Sequence, residues 1–178
     1  GKLLKEKIFD EIWIQPASGD AGSSLGGALI AWHEYFKKPR KANKSDSMKG
    51  TYLGCDFSNK EIICYLEEIN APFQSLEDLE LFEKLAQILD EGKVIGWFNG
   101  AMEFGPRALG GRSIIGDPRN QEMQTVMNLK IKYRESFRPF APSILEEEVH
   151  NQFEFNSKSP YMLFVAAVKK DLCLKLLS

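Results

Sequence analysis

Residues 76–98 limit the possible folds more than any other stretch of this 178-residue chain. Leu79, Phe82, Leu85, Ala86 and Leu89 recur three or four positions apart, lining one face of a helix expected over 76–91. Ser75 supplies an N-cap, with Asp78 three positions on, and Gly92 supplies a left-handed stop. Val94-Ile95-Gly96-Trp97-Phe98 then reads as a buried strand, ended by Asn99-Gly100. A helix delivered into a strand through a glycine turn belongs to α/β architecture. Upstream, residues 10–15 read as a short strand ending at Pro16. A small-residue loop over 16–24 and an apolar helix over 25–36 follow. Residues 37–50 are charged and poor in apolar side chains, so they read as a linker between two structural units.

The chain is 43% hydrophobic with 12 Phe, enough for a real core. Its net charge of −2 argues against a generally basic nucleic-acid binder. That total hides an asymmetry. Between residues 96 and 143 seven Lys/Arg face four acids, about +3, which leaves about −5 for the remainder. A basic island in an acidic chain reads as an anion site of limited size. Three cysteines without CxxC spacing indicate neither a disulfide framework nor a zinc knuckle, and a reduced, cytoplasmic setting is expected. No apolar run approaches the ~18–20 residues that cross a membrane. The opening Lys2-Leu3-Leu4-Lys5 reads as mid-helix, so the chain is expected to begin inside something larger.

Chemistry concentrates in residues 99–119, NGAMEFGPRALGGRSIIGDPR. Five glycines free backbone amides for close approach to an anion, and Arg107, Arg112 and Arg119 interleave with them. Arginine forks suit phosphate or carboxylate oxygens, and Ser113 adds a hydroxyl donor. Neither a Walker A loop nor a GxGxxG fingerprint is present. The bland alternative is a surface loop whose arginines pair with Glu103 and Asp117.

A second cluster spans residues 128–142, NLKIKYRESFRPFAP. Positions 128–134 alternate polar and apolar, which predicts a strand with Lys130, Lys132 and Arg134 on one face. Arg138 precedes Pro139 and is biased to an extended conformation, which preorganises its cation. The alternative is a solvated strand edge blunted by lysines. In the loop at Ser18-Gly19-Asp20-Ala21-Gly22, Asp20 reads first as a helix N-cap, and otherwise as a metal ligand. His33 and His150 are isolated; His33, among Trp32, Tyr35 and Phe36, is assigned a core or flanking role. No Ser/His/Asp or Cys/His arrangement points to a protein nucleophile.

Taken together, PASGDAGSSLGGA, GWFNGAMEFGPRALGGRSIIGDPR, KYRESFRPFAPS and SPYML resemble the nodulation-protein and antibiotic-tailoring O-carbamoyltransferases. Order and spacing match from about Trp13 to Leu163, and the block from Gly96 to Ser143 is the most specific. The resemblance implies three parts. Residues 1–40 would be the tail of an actin-like, metal-bearing domain, with Asp20 as one metal ligand, and 41–50 a linker. Residues 51–178 would be part of a domain resembling threonylcarbamoyl-adenylate synthase, a twisted mixed α/β sheet with flanking helices and a basic concave face. Such a domain makes carbamoyl-adenylate from ATP, with Mg²⁺, and carbamoyl phosphate. The group then passes to a hydroxyl-bearing small molecule at a divalent metal, iron, in the neighbouring domain. By the same resemblance Arg107, Lys132 and Arg138 hold the triphosphate, with Arg112, Ser113 and Arg134 as neighbours.

Two segments of that family, THVDG-x-AR-x-Q and NTSFN, have no counterpart here, where residues 169–178 read KKDLCLKLLS. The chain alone is therefore expected to hold part of a site and to be inactive. Two rivals remain open: a threonylcarbamoyl-adenylate synthase relative, and a non-catalytic anion- or RNA-binding module. The apparent lack of surface aromatics among the cations weighs against the second.

Overall fold

The computed structural model describes residues 1–43 and 45–173. In chain order the helices are α1 (Lys2–Glu6), α2 (Asp20–Ile30), α3 (Asn59–Glu68), α4 (Asp78–Asp90), α5 (Met123–Val126) and α6 (Val149–Gln152). Strands β1 (Ile95–Phe98) and β2 (Arg112–Ile115) lie between α4 and α5. Wider π turns extend α2 over Ala31–Tyr35 and α5 over Met127–Ile131. The chain divides into two units. One gathers residues 1–43, 105–107 and 141–178; the other gathers 44–104 and 108–140.

In the first unit the expected strand at 10–15 does not form: these residues are irregular, and Trp13 is largely exposed. Alternating side chains make a strand only where a partner edge supplies the ladder. Helix α2 begins at Asp20, five residues before the expected start, with Gly19 as its N-cap. Ser23 donates its amide to the Gly19 carbonyl at 3.0 Å, and the Ser23 and Ser24 hydroxyls reach back to the Gly19 and Ala21 carbonyls. Residues 152–154 and 167–169 are joined by a Phe153–Val168 antiparallel bridge. The rings of Phe155 and Phe164 meet nearby at 5.7 Å.

The second unit holds the expected α/β element. The 76–91 helix is observed as α4 and the 94–98 strand as β1. Glu77 rather than Ser75 takes the N-cap position. Gly92 adopts φ +75, as the stop requires. A Cβ there would stand 3.1 Å from Asn120 Nδ2. Gly92→Ala should therefore lower stability by about 1 kcal/mol, read as a melting-temperature drop of roughly 3 °C by circular dichroism. Helix α3, which the sequence reading passed over, carries a complete capping box. Ser58 accepts from the Glu61 amide while Glu61 accepts from the Ser58 amide at 2.8 Å.

The expected mixed sheet is, among the described residues, an antiparallel pair in which Ile95 faces Ile115 and Phe98 faces Arg112. Met123 and Met127, one helical turn apart, are both buried. That spacing overrides the alternation at 128–134. The expected strand is instead the π turn Met127–Ile131, and Lys132 closes it. No helix among the described residues is long and apolar enough to cross a membrane.

Candidate functional site

Strands β1 and β2 carry the glycine-rich segment between them, and its amides turn inward. Glu103, only 8% exposed, accepts from the Leu109 amide at 2.6 Å, the Gly111 amide at 2.8 Å and the Arg112 amide at 3.1 Å. Burial pushes its carboxyl up, but these amides, with its own, outweigh burial and hold it below the ordinary glutamate value. Gly111 is required at this approach, because a Cβ would lie 2.7 Å from the Ala101 carbonyl and 3.0 Å from Glu103 Oε2. An internal carboxylate thus takes the place that the sequence reading reserved for a phosphate.

Arg112 is equally committed. Its Nη1 donates to the carbonyls of Gly100 at 3.0 Å and Gly111 at 2.8 Å, and its guanidinium lies 3.4 Å over the Phe98 ring. Ser113 accepts from the Gly110 amide at 3.0 Å. Tyr52 donates its hydroxyl to the Leu109 carbonyl. Beside this loop Tyr52, Asn99, Gly100, Ala101 and Gly110 line a cavity of about 320 Å³. Of the pairings in the bland reading, Arg119 does bind Asp117, at 2.7 Å, and also Asp90 at 2.7 Å. Hydrogen bonds from the Arg119 side chain hold the Asp117 carboxyl low and raise the guanidinium in turn. Glu103 pairs with amides and not with a guanidinium.

The second cluster is organised by Asn128, whose side chain is fully buried. Its Nδ2 donates to the carbonyls of Arg138 at 2.8 Å and Ser136 at 3.1 Å, and its Oδ1 accepts from Arg134 Nε at 2.6 Å. Gln124 adds a second donor to the Arg138 carbonyl at 3.1 Å. Arg134 is further held over the Phe140 ring at 4.8 Å. Residues 134–138 are thereby fixed from inside, and the charges of Lys130, Lys132 and Arg138 lie outside. Lys130 and Lys132 have no ion-pair partner among the described residues; Arg138 meets Glu135 at 3.0 Å. The Glu135 carboxyl is held low by its own amide and by Arg138. Sequence reasoning missed Asn128 as the organiser, although a buried carboxamide in a polar run is the residue type that ties carbonyls together. It also missed the aromatics: Tyr133 is 86% exposed and Phe137 76% exposed, interleaved with the cations.

Arg107 lies in the first unit, exposed and without an ion-pair partner among the described residues. Asp20 is the first residue of α2 and is exposed; the N-cap role falls to Gly19. Among the described residues no three His, Cys, Asp or Glu side chains come together. A lone carboxylate does not make a donor set for a divalent metal. His33 keeps a flanking role in the middle of the π turn, donating Nδ1–H to the Lys38 carbonyl at 2.8 Å.

Residues 86–177, which include both clusters, match the family model described as carbamoyltransferase C-terminus. The chain belongs to the carbamoyltransferase family. An uncharacterized protein of Synechocystis sp. is 58% identical over 99% of this chain. Nodulation protein NolO of Bradyrhizobium diazoefficiens is 40% identical over 96% of it, and nodulation protein U of Rhizobium tropici 35% over 91%. The chain spans 29%, 31% and 25% of the lengths of these three relatives.

Proposed function

We propose that this chain is the nucleotide-handling part of an ATP-dependent O-carbamoyltransferase, with Lys132 and Arg138 as triphosphate-holding cations. The observation that carries the reading is the segment held by Asn128, which preorganises those two cations on a fixed backbone. By the family resemblance Arg107, an exposed guanidinium on the GPRALG motif, is also assigned a phosphate-binding role. Ser113 and Arg112 shape the neighbouring loop, and Arg134 fixes the segment from beneath.

In the proposed reaction carbamoyl phosphate, ATP and one water yield carbamoyl-adenylate, pyrophosphate and inorganic phosphate. Water first releases carbamate and inorganic phosphate from carbamoyl phosphate; a carbamate oxygen then attacks the α-phosphorus and pyrophosphate leaves with its electron pair. Negative charge builds on the departing phosphates, and fixed cations stabilise it without a protein nucleophile. Mg²⁺ enters as the partner of ATP. The carbamoyl group then passes to a hydroxyl of a small-molecule acceptor. Threonine independence separates this reaction from threonylcarbamoyl-adenylate synthesis.

Calorimetric titration of ATP and Mg²⁺ into the chain tests the assignment. A dissociation constant near 1 mM corresponds to about 4 kcal/mol. Arg138→Ala and Lys132→Ala should each weaken binding at least tenfold while the far-UV circular dichroism stays unchanged. Wild-type binding in both variants would sink the assignment.

A further inference from the structure

The residue between the two cations at 132 and 134 is the one that the proposed phosphate site leaves unexplained. Tyr133 sits in the left-handed region at φ 48, where a bulky side chain is strained, and it is 86% exposed. It makes no ring contact among the described residues. A large apolar ring held outward at a conformational cost is unfavourable in itself, and such positions persist where the surroundings over-determine them for a function. The surroundings here do so on both sides. The Lys132 amide donates to the Met127 carbonyl at 3.0 Å, closing the π turn, and the Arg134 amide donates to the Asn128 carbonyl at 3.0 Å. Tyr133 is thus pinned between two backbone hydrogen bonds that start from the same buried turn. Phe137, four positions on, is exposed to a similar degree.

We infer that Tyr133 is a stacking face for a planar base, so that the segment 130–138 binds a mononucleotide through both its ring and its phosphates. The chemistry is complementary at each end. An aromatic face accepts any nucleobase, and Lys130, Lys132 and Arg138 meet an anion with only Glu135 opposing them. The small size of the basic island in a chain of net charge −2 favours a mononucleotide over a nucleic-acid strand. This inference rests on the proposed triphosphate site and adds the element that would tell a nucleotide from a bare polyphosphate.

The two readings separate in one set of calorimetric titrations. ATP and inorganic tripolyphosphate, each with Mg²⁺, are titrated into the unsubstituted chain, Tyr133→Leu, Tyr133→Phe and Arg138→Ala. Tyr133→Leu should weaken ATP about tenfold, at the lower end of what base stacking contributes, and leave tripolyphosphate unchanged. Tyr133→Phe keeps the ring and should bind ATP as the unsubstituted chain does, which also controls for folding. Arg138→Ala should weaken both ligands. ATP binding unchanged in Tyr133→Leu, with Arg138→Ala still weakened, overturns the stacking role and leaves the phosphate site standing. Failure of the unsubstituted chain to bind either ligand overturns both.

Discussion

Glu103→Ala should cost about 3–5 kcal/mol of unfolding free energy, because three amides lose their acceptor in a nearly closed interior. Urea titration at pH 7 is the measurement, and a midpoint indistinguishable from the unsubstituted chain would refute the structural role given to this carboxylate. The same group predicts a pH dependence. Its folded-state value lies below the ordinary one, so its contribution is complete above about pH 4.3, the unfolded value. That contribution is lost as pH falls through the depressed folded value, where the unfolded state binds the proton first. The urea midpoint should therefore fall between pH 5 and pH 3 by more in the unsubstituted chain than in Glu103→Gln, whose carboxamide keeps an acceptor and does not titrate.

The second large effect falls on Asn128. Asn128→Asp keeps the shape but replaces a buried two-proton donor with an oxygen facing the Ser136 and Arg138 carbonyls. Stability should drop by about 3 kcal/mol, and residues 132–138 should loosen. Limited tryptic digestion reads the loosening directly, since Lys132 and Arg134 are themselves cleavage sites. Faster cleavage there, together with weakened binding of ATP and Mg²⁺, is expected. Unchanged cleavage would separate Asn128 from the ordering of the segment.

These two residues also mark where the sequence stopped being readable. Helix α4, its glycine stop and strand β1 are legible because apolar periodicity and a φ > 0 requirement are local signals. Helix α3 was legible in principle, since Ser58 and Glu61 stand at capping-box spacing, yet its mixed surface hid it. Strand β2 was obscured because Arg112 and Ser113 read as ligand-binding residues; only the pairing with β1 makes them strand. The alternation at 128–134 misled for a related reason. Seven residues fit a strand, but the burial of Met123 and Met127 continued a helical turn into them. For the candidate site, the basic island was legible from charge alone. Which cations stay free was not, because that depends on partners far apart in sequence. Arg112 is taken up by the carbonyls of Gly100 and Gly111, and the glycine-loop amides by Glu103.

The π turn at Met127–Ile131 has a further meaning for the cations that follow it. Each residue of an α-helix swings its side chain about 100° around the axis, and a π turn takes up one residue more than an α turn. Lys132 therefore stands one residue's rotation away from the bearing that an uninterrupted α-helix would give it. The compass heading of this cation is set first by the count of residues between Met127 and Lys132. A single deletion in that interval resets the heading of everything downstream.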